Sequence, residues 1–199
     1  MFNRPVIVQQ AQTMLAETPH MESLARLVMA DATPADFQVE GFDEVVILRP
    51  KKFTIIQHAA MIVIDETIYL AIHEDFLTSP SLNATLCHEQ AHLLQLSRPL
   101  NQRQLSAQTS GNIEDAIAME IDADIRACTQ LGANPQELIQ LFQQTLAFLQ
   151  TILEKAKQPE DEPARKCREM QQYQLNTRIQ TLQALMAGEP VLLKWGALV

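Results

Sequence analysis

The spacing of apolar residues divides the chain into two kinds of segment. Between Val45 and Ile72 the apolar residues form short runs rich in β-branched side chains, whereas most of the remaining chain repeats them every three or four positions. The first pattern predicts strands and the second predicts helices. The predicted strands are 45–48, 53–56, 61–64 and 67–72. Their short links, including a turn at Asp65-Glu66, favour a small and mainly antiparallel sheet.

Helices are predicted on both sides of this block. The expected spans are about 6–29 with a break near Thr18-Pro19, 77–96, 112–131, 135–157 and 165–187. Gly132 suits the end of one helix and Pro135 the first turn of the next. The fold class is therefore α+β, with residues 1–132 as a domain and residues 133–199 as a helical C-terminal extension packed on that domain.

Composition narrows the range of partners. The formal net charge is −9, and an acidic chain is repelled by phosphate backbones, so neither nucleic acid nor an anionic membrane is an expected partner. Three cysteines without a CxxC spacing fit a reducing compartment. We see no signal peptide and no apolar run that could form a transmembrane segment, which leads us to expect a soluble, cytoplasmic protein.

The segment His88-Glu89-Gln90-Ala91-His92 is an HExxH motif on a predicted helix. Residues four apart lie on one helical face, so both imidazoles can bind one zinc ion at about 2.0–2.1 Å. Glu89 projects from a neighbouring angle and can act as general base on a zinc-bound water. The alternative is a pair of core histidines beside a surface glutamate, and a third ligand would decide between the two interpretations.

The third ligand is expected from a distant helix. A metzincin would need glycine at position 95 and histidine at position 98, where this chain has Gln95 and Arg98. The helix at 112–131 instead offers an inward face at i, i+3, i+4 spacing, comprising Ile113, Ala116, Ile117, Glu120, Asp124, Ala127, Cys128 and Leu131.

Two carboxylates lie on that otherwise apolar face. A buried carboxylate without a partner costs several kcal/mol, so Glu120 is predicted to be the third zinc ligand. Asp124 is predicted to accept a proton from the far nitrogen of His88 or of His92. Asp122 and Arg126 fall elsewhere on the helix and are expected to form an exposed ion pair.

Together these residues resemble the gluzincin class of zinc peptidases, nearest the HtpX-type and CAAX-processing endopeptidases and their small soluble relatives. The likeness covers residues 67–130, where a strand precedes the HExxH helix and a later helix carries Glu120-x-x-x-Asp124. It implies a zincin-like domain in which Glu89 is the base, Asp124 a supporting carboxylate, and the ligands are His88, His92 and Glu120. The strand at 68–72 would be an edge strand that aligns a peptide substrate. The membrane spans of that group are missing here, and IrrE-type regulators share HExxH with a downstream acidic helix.

The expected function is that of a soluble zinc-dependent metallopeptidase with one zinc ion per chain, acting on a peptide or protein substrate. The alternatives are a latent or non-catalytic zinc-binding regulator and a metal-free helical adaptor. Arg178, Arg126 and Tyr173 are candidates for a second oxyanion stabiliser, although a surface role is favoured for each. The apolar stripe from Leu138 to Ile152 predicts intramolecular packing, with a homo-oligomer contact as the alternative.

Overall fold

The structure, a computed structural model, describes residues 2–49, 58–98, 113–155 and 161–191. Its elements in chain order are α1 (Arg4–Glu17), α2 (Pro19–Met29), β1 (Thr33–Pro34), β2 (Glu44–Leu48), β3 (Ala59–Ile64), β4 (Thr67–His73), a 3₁₀ turn (Glu74–Phe76), α3 (Leu82–Leu96), α4 (Ile113–Gln130), α5 (Pro135–Lys155) and α6 (Glu162–Met186). The predicted α+β class is confirmed. The predicted strand at 53–56 lies outside the described residues, as do residues 156–160 between the last two predicted helices and residues 192–199.

The described strands form one mixed sheet in the order β1-β2-β4-β3. Strand β4 pairs in parallel with β2 and antiparallel with β3, and β1 pairs antiparallel with β2. The prediction that residues 68–72 form an edge strand is therefore wrong. Ile68, Leu70, Ala71 and Ile72 are fully buried, because β4 lies between two neighbours and is covered on both faces. In the described sheet the edge beside the HExxH helix is β3.

A two-residue turn joins β3 to β4, as predicted. Asp65 and Glu66 adopt φ values of 48° and 67°, the left-handed pair that a type I′ hairpin turn requires. Arg26 donates to both carboxylate oxygens of Asp65 at 2.7 and 2.9 Å, and Arg4 donates to the carbonyl of Glu66 at 2.9 Å. The two N-terminal helices thus hold the turn from outside.

Helices α1 and α2 cover opposite faces of the sheet. Ile7 and Val8 of α1 pack with Val63 and Ile68, whereas α2 packs on the cluster that contains Ile62 of β3. The chain crosses from one face to the other at Thr18, where α1 ends and Pro19 opens α2, so the predicted break is confirmed. The crossing places the α1–α2 corner beside β3.

The main core is continuous across Gly132. It contains fully or almost fully buried side chains from β4, α3, α4, α5 and α6, among them Leu70, Ala91, Ala123, Leu138 and Leu182. Gly132 has φ 78° and ends α4, with the Ala133 amide donating to the carbonyl of Ala127 at 2.9 Å. The C-terminal helices therefore share the core of the sheet and the HExxH helix.

The predicted apolar stripe of α5 is a packing stripe over its first half. Leu138, Leu141 and Phe142 are buried in the main core, while Phe148 and Ile152 farther along are exposed. Within the described part of the chain, no helix combines the length and apolar character needed to cross a membrane.

Candidate metal centre

Helix α3 brings the two motif histidines together. His88 and His92 lie one turn apart with their rings edge to face, and their Nε2 atoms are 3.1 Å from each other. Fully buried apolar residues anchor the helix on either side of the histidines: Ala84 and Ala91 in the main core, and Leu93 against α1. Both imidazoles line the cleft beside β3.

Helix α4 supplies the third group. Glu120 Oε2 lies 3.4 Å from His88 Nε2, and Glu120 Oε1 lies 3.5 Å from His92 Nε2. Ligands bound at about 2.0–2.1 Å to a tetrahedral zinc ion are about 3.3–3.4 Å apart. One ligand atom from each of the three residues lies within 4.8 Å of the other two, and the shortest separations are close to those around zinc, so this group could hold a metal ion.

Asp124 fixes the ring of His88. Its Oδ1 lies 2.8 Å from His88 Nδ1, so the carboxylate accepts a hydrogen bond from the Nδ1 N–H group. This bond holds the ring with Nε2 directed at Glu120. The sequence left open which histidine Asp124 would contact. The helix phase that placed Glu120 at the histidines also places Asp124, one turn later, behind His88.

Gln95 performs the same task for His92 and was missed in the sequence, where it served only to exclude a metzincin. Its Nε2 donates to the Met119 carbonyl at 2.8 Å and to Asp122 Oδ2 at 2.9 Å. With the amide nitrogen used in this way, the oxygen must face His92 Nδ1, 2.8 Å away, and accept its proton. The i, i+3 spacing from His92 on one helix was the available signal.

Three electron-pair donors consequently face one point: the two Nε2 atoms and a carboxylate oxygen of Glu120. In a pair of ordinary core histidines, the two Nδ1 atoms would not both need to donate hydrogen bonds to the protein and so direct both Nε2 atoms at one point. A cation at the common point would stabilise all three groups. The donor set of two histidines and one glutamate is one of the sets that proteins use for catalytic zinc.

Arg178 of α6 completes the charge distribution. Its guanidinium donates to both oxygens of Asp124 at 2.7 Å, lies 3.0 Å from Glu120 Oε2 and stacks 4.1 Å from the Phe142 ring centroid. Only 7% of Arg178 is exposed, so the favoured surface role is wrong. The signal that was missed is the position of Arg178 in an apolar stripe of α6, three residues after Leu175 and four residues before Leu182.

The site has an excess of negative charge. Glu89, Glu120 and Asp124 contribute three carboxylates and Arg178 one guanidinium, which leaves a net charge of −2 when the histidines are neutral. A divalent cation would balance this charge, which is otherwise costly to bury.

The pKa shifts follow the same charges. Burial lowers the pKa of His88, but the charge and hydrogen bond of Asp124 and the bond to Glu120 outweigh it and raise the pKa to about 10, so at neutral pH a bound cation would displace the Nε2 proton of His88. Burial would raise the pKa of Glu120 and of Asp124, yet the adjacent Arg178 guanidinium lowers both.

Glu89 lies at the side of the three donors. It is almost fully buried, and its Oε2 accepts a hydrogen bond of 2.9 Å from the backbone amide of Met61 in β3. Burial raises the pKa of its carboxyl group. The surrounding cleft has a volume of about 340 Å³ and is bounded by Met14 of α1, by residues 59–61 and by the three candidate ligands.

The remaining predicted groups lie away from this point. Arg126 pairs with Asp122 at 2.6 Å as predicted, but Asp122 is only 5% exposed because it also accepts from Gln95 behind His92. Tyr173 is 61% exposed. Of the three candidate stabilisers, Arg178 alone is in contact with the described site.

Comparison with protein-family models, with curated proteins and with solved structures gives no match. The gluzincin and zincin-like resemblance therefore stays a prediction based on the motif and its spacing. What the geometry adds is independent of any relative: a triad of ligand atoms, two oriented imidazoles and a carboxylate beside them.

Proposed function

We propose that this protein is a zinc-dependent metallopeptidase. The observation that carries the proposal is the convergence of His88, His92 and Glu120 at ligand spacing, with both histidine tautomers set by hydrogen bonds and with Glu89 beside them in a cleft. Three protein ligands leave a tetrahedral metal one open position, which is typical of catalytic rather than structural zinc sites.

His88, His92 and Glu120 would hold the zinc ion. When bound, zinc supplies a Lewis acid that lowers the pKa of water toward neutrality and polarises a peptide carbonyl. Asp124 and Gln95 keep the two imidazoles oriented, and Arg178 keeps Glu120 and Asp124 ionised and in place. Arg178 is thus a positioning residue in this proposal, because its donors are directed at ligand carboxylates.

Glu89 would act as the general base. Its carboxylate would accept a proton from the attacking water and pass that proton to the leaving amine. The raised pKa of this buried carboxyl makes it a better proton acceptor than an exposed glutamate. The Met61 amide fixes one carboxylate oxygen, which leaves the other available for the proton.

Strand β3 would align the peptide. The amide of His73 donates to the carbonyl of His58, and the antiparallel register then directs the backbone groups of Ala60 and Ile62 toward β4. Those of Met61 and Val63 point away from β4, and the Met61 contact with Glu89 agrees with this direction. Addition of a substrate strand on that side would bring its backbone past Glu89.

The test combines metal binding with cleavage. Zinc content and cleavage of a mixed peptide library are measured for the wild type, for Glu89→Gln and for the exposed control Glu44→Gln. We expect one zinc ion per chain in all three, cleavage by the wild type and the control, and a loss of at least about 10²–10⁴-fold in Glu89→Gln.

The other outcomes separate the alternatives. Equal cleavage by wild type and Glu89→Gln would reveal a contaminating peptidase and contradict the mechanism. Zinc binding without cleavage would favour a latent or non-catalytic zinc-binding regulator, and failure to bind zinc would remove the metal centre and favour the metal-free adaptor.

A further inference from the structure

A second, apolar groove lies beside the metal cleft along β3. It has a volume of about 330 Å³ and lies between the α1–α2 corner and the strand, with Leu15, Met21, Leu24 and Val28 among its helical walls. Among the described residues of its lining, Thr18 alone has a polar side chain. A volume near the lower end of the usual range for ligand pockets, about 300–1,000 Å³, suits one or two apolar side chains.

The groove adjoins the metal cleft. Met14, Ala60 and Met61 line both of them, so a peptide lying in the groove along β3 would extend toward the cleft beside Glu89. The groove also follows the outer side of β3, with which no described strand pairs. Its lining takes residues from both faces of β3, since Met61 and Val63 lie toward α1 and Ala60 and Ile62 toward α2.

We propose that this groove is the subsite that selects substrate, and that it binds an extended peptide segment with a large apolar side chain next to the scissile bond. The inference rests on the proposed peptidase function and names the substrate class for it. The backbone of Val63, directed away from β4, would pair with the peptide, and the α1–α2 walls would remove its side chain from water. The described residues of the lining carry no charged group, which disfavours acidic or basic side chains there, because their burial would be uncompensated.

The subsite gives a role to an exposed apolar side chain. Met21 is 46% exposed in the wall of the groove, and its flexible thioether side chain adapts readily to differently shaped apolar groups. Leu27, on the same helix, is 67% exposed but does not line the groove. The two residues therefore form a matched pair for a test.

The experiment compares Met21→Glu with Leu27→Glu, each carrying the same new charge on α2. Binding is measured with zinc-loaded protein that also carries Glu89→Gln, by fluorescence anisotropy of a labelled peptide with leucine or phenylalanine at the selected position. The selected position is the one the library defines, or, if no peptide is cleaved, the one found by scanning leucine through an alanine peptide. Cleavage of the same peptide and of its alanine analogue is measured with the wild type and with the Met21 and Leu27 variants that retain Glu89.

We expect Met21→Glu to weaken binding of the apolar peptide about tenfold and to lower its kcat/KM by a similar factor. For the alanine analogue, Met21→Glu should change affinity and kcat/KM by less than about twofold. Leu27→Glu should change them by less than about twofold for both peptides. Met21→Gln, which is uncharged and similar in size, should act in the same direction to a smaller extent. Circular dichroism establishes that the variants are folded.

Two failures are distinguishable. If the wild type cleaves peptides but Met21→Glu and Leu27→Glu behave alike on both substrates, the subsite is overturned while the peptidase function stands. If nothing is cleaved but the apolar peptide binds in a manner sensitive to Met21→Glu, the groove is a peptide-binding site and the catalytic proposal fails. Absence of any difference in binding between the leucine and alanine peptides overturns the subsite.

Discussion

The orientation of two imidazole rings is the decisive feature at the scale of single residues. Each ring is held through Nδ1 by a different kind of acceptor, the carboxylate of Asp124 for His88 and the amide oxygen of Gln95 for His92. The two supports are in turn tied to Arg178 and to Asp122. A metal bound at the Nε2 atoms would therefore meet ligands with little freedom to turn away.

Replacing Gln95 by leucine tests this support. The substitution removes the acceptor of the His92 Nδ1 proton while keeping a side chain of comparable size, and loss of such a partner usually costs 10–100-fold in metal affinity. We expect the zinc Kd of Gln95→Leu to rise by about that factor in competition with a chromophoric chelator. Gln90→Leu, on the same helix but bonded to the Glu40 carbonyl, should change the Kd by less than about threefold. Equal affinities for the two variants would contradict the role of Gln95.

Arg178→Met tests the buried cation. Without the guanidinium, Asp124 would remain almost fully buried with only a histidine as partner, and breaking a buried pair costs about 3–5 kcal/mol. Urea denaturation in the presence of a chelator should show a decrease of that size in the free energy of unfolding. Arg26→Met is the control, because Arg26 also bonds two carboxylates but is about half exposed, and its loss should lower the stability far less than the loss of Arg178. Similar losses in the two variants would show that Arg178 contributes no more than a surface pair.

The residues that could be predicted here are those coupled by local periodicity. HExxH fixes His88, Glu89 and His92 on one helix, and the helical phase of 112–131 selects Glu120 and Asp124 from five acidic residues. Arg178 could not be placed in the same way, because its contact with Asp124 joins helices 54 positions apart and depends on how α6 packs. Asp122 shows the limit of the phase argument, since a residue outside the apolar face is buried by a neighbouring helix.

At the scale of elements, the sheet and its N-terminal helices position the base. Strand β3 holds Glu89 through the Met61 amide, and α1 and α2 grip the turn that follows this strand. The existence of strands at 45–48, 61–64 and 67–72 follows from their apolar runs. Their order does not, because a buried apolar run such as 67–72 fits a central strand and an edge strand equally well until its neighbours are known.

Glycine at position 66 in the β3–β4 turn is expected to increase the stability of the protein. Glu66 occupies the left-handed region, which costs a side-chain-bearing residue roughly 1–2 kcal/mol, whereas glycine costs about 0.5–1 kcal/mol in lost backbone freedom. Glu66→Gly should therefore raise the free energy of unfolding by about 0.5 kcal/mol in thermal or urea denaturation. The contact with Arg4 uses only the backbone carbonyl and should survive. Glu44→Gly in strand β2 should have the opposite sign, and a loss of stability in both variants would contradict the turn geometry.

For the molecule as a whole, the division at residue 132 is a matter of sequence order rather than of packing. The domain at 1–132 and the extension at 133–199 remain a prediction, but the described core takes side chains from both sides of that boundary. The most deeply buried of these in the described parts of α5 and α6 are Leu138, Ile139 and Leu182. Each contributes about 1.5–3 kcal/mol, against a total stability of about 5–15 kcal/mol for an ordinary domain.

A fragment that ends at Gly132 should therefore fail to fold cooperatively. We expect residues 1–132 alone to give poorly dispersed amide resonances and to bind zinc with at least tenfold lower affinity than the full chain. Co-expression with residues 133–199 should restore both properties, because the two pieces together contain the core and Arg178. A fragment that melts cooperatively and binds zinc as tightly as the full chain would establish residues 1–132 as an independent domain.

The place of Arg178 on the last described helix also sets an order of events during synthesis. A chain emerging from a ribosome exposes both histidines and all three carboxylates dozens of residues before the guanidinium that orders them. Until α6 docks, those acidic groups repel one another and the imidazole of His88 lacks its anchored partner. We expect such a nascent chain to hold metal weakly until α6 has been synthesised and has docked against α4.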